Sequence, residues 1–311
     1  MKTIQGQPGL FTSRDLLITF LLSAAYLLIS ALLVGFKSDQ VFLVVLFNLL
    51  YYASRYTRKF IIGFSVFIVY WILFDYMKAF PNYLFSDVHT GSLHAAEKAV
   101  FGIHSGGTVI TPNEYFLQHH SSFFDILSGI FYLCWIPVPL AFAAYLFFTD
   151  RRLFLQFSLT FFLVNLVGFV GYYTYPAAPP WYLQEHGLVA ELNTPGSTAG
   201  LARFDEYFGV TIFQSIYAKS SNVFAAMPSL HSAYPLIVLY YGFKKKLGYF
   251  NLVFIIVTVG IWFSAVYTSH HYVLDVLAGI LCAAIGIFLF EKILKSRSFN
   301  RFFEAYMAKI S

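Results

Sequence analysis

Long apolar runs dominate this sequence and limit what it can fold into. The first run, residues 16–36, is 21 residues long and carries no charged side chain. About 20 apolar residues in a helix span the hydrocarbon core of a bilayer. Charged residues make up only 11% of the chain, against roughly 25% in soluble domains. The sequence therefore predicts an integral membrane protein and excludes an ordinary soluble domain.

Seven more apolar runs follow the first and predict an all-α polytopic membrane protein of about eight transmembrane helices. They cover residues 41–56, 60–80, 123–148, 153–175, 229–243, 250–269 and 272–294. No small-residue cleavage site follows the first run, which favours a signal anchor over a cleaved signal peptide. Pro137 and Pro139 should kink the fourth helix.

The basic residues predict the orientation of these helices. With eight crossings and a cytoplasmic N-terminus, fifteen of the 20 Lys and Arg residues fall on the inner side and five on the outer side. Such an excess marks the cytoplasmic face. We therefore expect both termini in the cytoplasm, and all nine histidines on the periplasmic or lumenal face.

His271 and Asp275 are the first candidates for chemistry in this membrane frame. A spacing of four residues puts both side chains on one face of a helix. The carboxylate can then fix the imidazole tautomer and leave the other ring nitrogen free as a nucleophile. The alternative is a polar pair that simply ends a helix.

The segment from Met227 to His231 starts another apolar run and offers a second candidate. Pro228 suits the first turn of a helix and Ser229 suits its cap. Free N–H groups at a helix start bind phosphate well, and His231 beside them can exchange a proton with an alcohol. The alternative is an ordinary helix start with an interfacial histidine.

Together these motifs resemble those of the type-2 phosphatidic acid phosphatase superfamily. Pro228-Ser229-Leu230-His231 is similar to its P-S-x-x-H-type motif, and Ser264, His271 and Asp275 match its S-R-x-x-x-x-x-H-x-x-x-D motif. The resemblance implies that His231 protonates the leaving group, His271 forms a phosphohistidine and Asp275 orients it, without metal or cofactor. It also implies a six-helix core in 60–295, with two accessory helices in 1–59 and a cytoplasmic tail in 296–311.

Two departures indicate a branch of that superfamily. Ala265 stands where the motif has arginine, and the first motif, K-x-x-x-x-x-x-R-P, is missing. The segments 175–182 and 200–205 instead resemble inositol phosphorylceramide synthases. That branch implies transfer of a phosphoinositol or related group from a glycerophospholipid, with phosphatidylinositol favoured, to ceramide. A phosphodiester carries about one negative charge, so it needs fewer cations than a monoester.

The remaining candidates for binding substrate or its phosphate surround these motifs. They are Ser229, Arg203, Lys219, Ser264, Pro180, Trp181 and Tyr182. Each basic residue has an alternative as a solvated loop charge, and the aromatic residues have an alternative as an interfacial belt. His119, His120 and His270 lack carboxylates or cysteines at ligand spacing, so we expect no metal site.

Two other functions stay open at the level of sequence. One is a lipid phosphatase acting on phosphatidic acid or a polyprenyl diphosphate, which the missing arginine disfavours. The other is a non-catalytic membrane protein, which predicts tolerance of changes at Asp275. The expected partners are lipids rather than nucleic acid, because the basic residues sit at the ends of apolar runs. The sequence does not indicate whether a protein partner is needed.

Overall fold

The computed structural model describes residues 11–219 and 222–311, and most of these residues are helical. The α-helices are α1 (Ser13–Val34), α2 (Ser38–Ala53), α3 (Arg55–Tyr76), α4 (Gly91–Phe101), α5 (Pro112–Gln118), α6 (Ser122–Leu133), α7 (Pro137–Thr149), α8 (Arg151–Thr174), α9 (Pro180–His186), α10 (Ala202–Phe208), α11 (Ile212–Tyr217), α12 (Leu230–Lys244), α13 (Phe250–Tyr267), α14 (Val273–Leu294) and α15 (Arg297–Ile310). The strands β1 (Ile103–Ser105) and β2 (Thr108–Ile110) form an antiparallel hairpin. Gly106 and Gly107 supply the positive φ angles of its two-residue turn.

The all-helical membrane architecture predicted from the sequence is confirmed. All eight apolar runs are helical, and six segments of the described chain are long and apolar enough to cross a membrane. The other two, α2 and α12, have 16 and 15 residues, which at 1.5 Å per residue is short of a hydrocarbon core of about 30 Å. The exact number of eight crossings therefore remains a prediction.

The predicted kink in the fourth apolar run is a break between two helices. Helix α6 ends at Leu133 and α7 begins at Pro137. Proline lacks the N–H that would continue the preceding helix, so the chain stops and restarts here. The two pieces together still form one candidate span, Ser122–Thr149.

The helices form two compact units. One contains the described part of Met1–Ala79 together with Arg301–Ser311, and the other contains Phe80–Asn300. In the first unit, hydrogen bonds from hydroxyl groups join the helices. Ser30 Oγ lies 2.9 Å from Tyr76 Oη, and Tyr306 Oη donates to the Ile62 carbonyl at 2.7 Å. The predicted functional division at residues 59 and 295 is not the same as this division and remains a prediction.

The second unit is a bundle in which small residues allow close helix packing. Helices α8, α12 and α14 pack against one another, and α13 packs against α12 and α6. Gly168 faces Leu230, Gly286 faces Val164, and Gly279 faces the backbone of Ser229. Small residues at these positions let membrane helices approach closely and gain dispersion contacts. Large apolar side chains elsewhere on these helices are exposed, such as Val170 at 63% and Phe250 at 69%, which suits a lipid-facing surface.

Two long connecting segments, residues 81–122 and the described part of 176–228, cover one end of this bundle. Their polar side chains satisfy backbone groups that would otherwise lack partners. The Asn82 amide donates to the carbonyls of Tyr172 at 2.8 Å and Phe224 at 2.9 Å. The backbone of Ala177 bridges His89 and Ala225. The segments therefore pack as an ordered layer over the end of the bundle where α12 and α14 begin.

Candidate active site

Helix α12 begins at the first of the two predicted motifs. Ser229 is its N-cap residue, and the Met227–Pro228 peptide bond before it is cis. Because Ser229 is the N-cap residue, Pro228 lies before the helix rather than in its first turn. The Ser229 side chain is fully buried, and its hydroxyl accepts from Ser232 Oγ at 3.1 Å instead of capping the helix. Both details correct the interpretation of Pro228 and Ser229 as a first-turn residue and a side-chain cap.

Helix α14 begins at the second motif and is held against the first. The Asp275 carboxylate accepts from the Tyr272 N–H at 2.8 Å and caps the helix from within. The Asp275 backbone carbonyl also accepts from the Ser229 N–H at 3.0 Å. A Cβ atom at Gly279 would collide with the Ser229 carbonyl oxygen, so glycine is needed for this contact. The starts of α12 and α14 are therefore in direct backbone contact.

This contact brings the three predicted catalytic residues together. His231 Nδ1 lies 3.0 Å from His271 Nε2, and His271 Nδ1 lies 3.6 Å from Asp275 Oδ2. His271 and Asp275 are 5% and 0% exposed. His271 thus presents Nε2 to His231 and Nδ1 to the carboxylate. In one consistent tautomer, His271 carries its proton on Nδ1, and its Nε2 lone pair accepts from His231.

The protonation state of His271 suits a nucleophile. Burial lowers the pKa of this imidazole to about 4, because the charged form loses hydration. The ring is therefore neutral at neutral pH and keeps a lone pair on Nε2. Asp275 Oδ1 and His271 Nδ1 have no hydrogen-bond partner among the described residues. A modest rotation of either side chain would close the gap between them.

Aromatic rings and a hydroxyl that the sequence did not single out surround His231. The Tyr132 hydroxyl lies 3.3 Å from His231 Nδ1, and the Trp135 ring meets the imidazole edge-on at 4.4 Å between centroids. Both residues come from the broken fourth span. No motif marks Tyr132 or Trp135 in the sequence, because their contacts to His231 arise only from packing of that span against α12.

His270 has a structural environment rather than a metal site. Its ring stacks between Tyr132 and Tyr217, and its Nε2 lies 3.0 Å from the Thr198 carbonyl. Burial lowers the pKa of His270 well below its usual value, so the ring is neutral and donates to Thr198. Within residues 11–219 and 222–311, no group of three or more His, Cys, Asp or Glu side chains is arranged to hold a metal ion.

Arg203 is held by a carboxylate that the sequence did not pair with it. Its Nε donates to Asp125 Oδ1 at 2.6 Å, and the Tyr267 hydroxyl donates to the same oxygen at 2.9 Å. His120 lies 3.5 Å from the other carboxylate oxygen. The Arg203 Nη2 is buried without a hydrogen-bond partner among the described residues. The guanidinium is therefore fixed at one edge and has a free donor at the other.

The missing motif arginine has a packing explanation. Ala265 is fully buried and belongs to an apolar cluster with Leu201 and Phe204. Its carbonyl accepts from the N–H groups of His270 and His271 at 3.1 and 2.9 Å. The segment that carries Arg203 thus packs over the position where the superfamily motif has its arginine.

The other predicted binding residues are mostly engaged in structural contacts. The Ser264 hydroxyl is buried and donates to the Gly260 carbonyl at 2.7 Å. Pro180 and Trp181 start α9 and are buried. The backbone N–H of Trp181 donates to the Ser269 carbonyl at 3.0 Å. The Tyr182 hydroxyl, also buried, donates to the Val189 carbonyl at 2.9 Å. None of the three aromatic-segment residues lies in an exposed interfacial belt.

Lys219, in contrast, is exposed and follows α11. Its role in phosphate binding, like the roles of Ser229, Ser264, Pro180, Trp181 and Tyr182, remains a prediction.

Glu97 is a buried carboxylate that sequence reasoning missed. It is fully buried on α4, and its two oxygens accept from the N–H groups of Val273 at 2.9 Å and Leu274 at 3.1 Å. Burial raises the pKa of Glu97, and these two backbone bonds oppose the rise. Asn113 adds a bond from its amide to the His271 carbonyl at 2.9 Å. A single glutamate in a weakly amphipathic loop helix carries no motif, so only the fold shows its position.

These observations define a class of protein: a polytopic helical membrane protein in which a half-buried histidine, a buried histidine and a buried carboxylate meet at one end of the bundle. Residues 104–289 match the family model of the PAP2 superfamily. The chain belongs to this superfamily, as its motifs predicted.

Individual relatives show which branch of the superfamily the chain is most similar to among those compared. The chain is 43% identical over 298 residues to a phosphoinositol dihydroceramide synthase of Bacteroides thetaiotaomicron, covering 95% of this chain and 98% of that protein. It is 33% identical to an inositol phosphorylceramide synthase of Candida albicans over 51% of this chain and 36% of that protein. It is 35% identical to the inositol phosphorylceramide synthase catalytic subunit of Saccharomyces cerevisiae over 42% of this chain and 32% of that protein. The predicted resemblance to the synthase branch is confirmed. No solved structure matches the chain significantly.

We predict that Glu97 stabilises the start of α14. The change Glu97→Ala leaves the buried N–H groups of Val273 and Leu274 without acceptors, each costing about 1–3 kcal/mol. Glu97→Gln keeps one acceptor oxygen, so its free energy of unfolding should lie between that of Glu97→Ala and that of the unmodified protein. The measurement is the free energy of unfolding in detergent. Glu206→Gln, at an exposed position of α10, is the matched control, and equal stability of all variants would contradict the assignment.

Proposed function

We propose that this protein is a sphingolipid synthase that transfers a phosphoinositol group, or a closely related one, from a glycerophospholipid to ceramide. The observation that carries the proposal is the 43% identity, across nearly the whole chain, to a phosphoinositol dihydroceramide synthase. The histidine pair beside a buried carboxylate supplies groups suited to that reaction. Phosphatidylinositol is the favoured donor, with diacylglycerol as the released product.

The first half of the proposed reaction forms a phosphohistidine. The neutral Nε2 of His271 attacks phosphorus, and the bond from phosphorus to the diacylglycerol oxygen breaks. His231, in its protonated form, passes a proton to that oxygen and becomes neutral, so diacylglycerol leaves as a neutral alcohol. Asp275 stabilises the positive charge that develops on His271, since its carboxylate faces Nδ1.

The second half reverses these steps with ceramide. His231, now neutral, removes the proton from the primary hydroxyl of ceramide, and the alkoxide oxygen attacks phosphorus. The bond from phosphorus to His271 Nε2 breaks, which restores the free histidine. Because His231 Nδ1 and His271 Nε2 lie 3.0 Å apart, phosphorus does not fit between them in this state. Substrate binding must separate the two rings.

Burial of the proposed nucleophile favours transfer over hydrolysis. His271 and Asp275 are almost wholly buried, and the rings of Tyr132 and Trp135 pack against His231, which is half-buried. Excluding water protects a reactive intermediate until the acceptor arrives. From the distribution of basic residues, we further propose that both termini are cytoplasmic and that this site faces the periplasm or an organelle lumen.

The first prediction concerns the covalent step. Purified protein incubated with phosphatidylinositol and ceramide should form a phosphoinositol-linked ceramide, detected by mass spectrometry. His271→Ala should abolish both this product and the labelling of the protein by donor radiolabelled at phosphorus. His231→Ala should lower turnover by about 10²–10⁴, since it removes acid–base catalysis. His104→Ala, exposed on β1, is the matched control.

Two outcomes would oppose the proposal in different ways. Undiminished turnover of His271→Ala would contradict the phosphohistidine mechanism. Release of inorganic phosphate from phosphatidic acid or a polyprenyl diphosphate, without any ceramide product, would favour the phosphatase alternative.

The second prediction concerns pH. Burial lowers the pKa of His271 to about 4, so the nucleophile stays neutral at pH values where an ordinary histidine, with a pKa of about 6.5, is protonated. The acidic limb of kcat/KM for the donor, which reports the free enzyme, should therefore lie below about pH 6. A limb at about 6.5 in a fully folded protein would contradict this assignment.

Stability must be measured across the same pH range. The unfolded chain binds a proton on this histidine as the pH falls below about 6.5, whereas the folded protein does not until the pH approaches 4. The contribution of His271 to stability is therefore complete above about pH 6.5 and decreases as the pH falls toward 4. Thermal unfolding separates this effect from loss of the nucleophile.

The third prediction concerns phosphate binding by Arg203. Its buried Nη2 has no partner among the described residues, and we propose that it donates to a phosphate oxygen of the donor. Arg203→Lys keeps the charge but loses the planar fork, so the KM for the donor should rise by about tenfold or more, as expected for a charge-assisted hydrogen bond. Lys246→Gln, at an exposed turn, is the control. An unchanged KM would leave Arg203 as a structural partner of Asp125.

A further inference from the structure

A cavity of about 240 Å³ lies between helices α8 and α14, next to the catalytic motif. Gly171 and Tyr175 line it at the C-terminal end of α8, and Ala278 and Ile285 line it from α14. Met227 and Pro228 line the end next to Ser229, which we call the mouth of the cavity. Almost all of the lining atoms are apolar. The cavity therefore has no chemistry for a head group and suits a hydrocarbon chain.

The lining of the cavity includes residues close in sequence to both helix starts that carry the catalytic residues. Pro228 at its mouth precedes the N-cap residue Ser229 and lies three positions before His231. On the other wall, Ala278 lies three positions, just under one helical turn, below Asp275. Ile285 is ten positions below Asp275, which corresponds to about 15 Å along the helix. The cavity thus extends along the helix axis away from the reacting groups, the direction that a lipid chain takes beneath its head group.

Small residues on both walls of the cavity leave room for an unbranched chain. Gly171 packs against the Pro228 ring so closely that a Cβ atom there would collide with it. Ala278 contributes only a methyl group to the opposite wall. Small side chains on both facing helices leave a space that larger side chains would fill, and burial of methylene groups in it favours binding of the chain.

We propose that this cavity binds the sphingoid chain of the ceramide acceptor, an inference that rests on the proposed function. The residues that line the cavity, Met227 and Pro228 at its mouth included, expose almost no polar atom to it, and the proline nitrogen has no N–H. An ester-linked chain would bring its carbonyl into this mouth, where the oxygen would be an unpaired acceptor, which disfavours binding. The sphingoid chain continues directly from the carbons that bear the reactive hydroxyl and the amide, so its polar groups stay above the mouth.

A pair of matched variants on α14 tests this assignment. Ala278→Phe fills the cavity, whereas Ala284→Phe adds the same ring at an exposed position of the same helix. Kinetics are measured with ceramides of long and of truncated sphingoid chains. For Ala278→Phe we expect the KM for the long-chain acceptor to rise by about tenfold or more. The KM for the truncated acceptor and the KM for phosphatidylinositol should stay unchanged, and Ala284→Phe should behave as the unmodified protein.

Photo-crosslinking tests the same assignment without relying on turnover or on a folded variant. A ceramide analogue with a diazirine in its sphingoid chain is irradiated with the unmodified protein, and the labelled peptide is identified by mass spectrometry. We expect label between Ala278 and Ile285 or near Gly171, with competition by ceramide but not by phosphatidylinositol. Label in this region without any synthase product would refute the proposed function and leave the lipid-chain site standing.

Three results would overturn the inference. A rise in the donor KM in place of the acceptor KM would assign the cavity to a glycerolipid chain. The same shift in Ala278→Phe and Ala284→Phe would indicate a general effect on the lipid-facing surface. Label confined to other helices would exclude the cavity as the site of the sphingoid chain.

Discussion

The backbone contact between the starts of α12 and α14 is the constraint on which the rest of the site depends. The Ser229 N–H donates to the Asp275 carbonyl, and Gly279 makes this approach possible because it has no side chain. His231 lies within the first turn of α12, and His271 lies just before α14. Once these two helix starts are fixed against each other, the two imidazoles must face one another.

Burial of charge explains why the connecting segments are ordered. Asp275 and Glu97 are both fully buried, and isolated carboxylates are costly in such surroundings. They are stabilised by the first N–H groups of α14, at the positive end of its dipole. Because carboxylates occupy these donors, a bound phosphate must rely on other groups, and Arg203 offers an unpaired donor. The segment that brings Arg203 also covers Ala265, where the superfamily motif has its arginine.

The sequence predicted much of the fold and the reacting residues, but few of their supporting contacts. Hydropathy indicated all eight helical runs, and proline indicated the break before Pro137. The prediction was wrong where residues of a familiar local pattern make different contacts in the folded protein. Pro228 lies outside the helix that it was expected to start, and the Ser229 hydroxyl pairs with Ser232. Trp181 and Tyr182 look like interfacial aromatics in sequence, yet the fold buries both.

By itself, the sequence determined the membrane helices, the family and the residues able to do chemistry, because hydropathy, helical spacing and short motifs are local properties. Only the tertiary structure decided the distances between those residues. His231 and His271 are 40 residues apart, and Arg203 and Asp125 are 78 apart. Such pairs meet only when helices pack at a particular depth and rotation. That packing depends on small residues such as Gly279, whose fit against a neighbouring backbone no single-sequence pattern reveals.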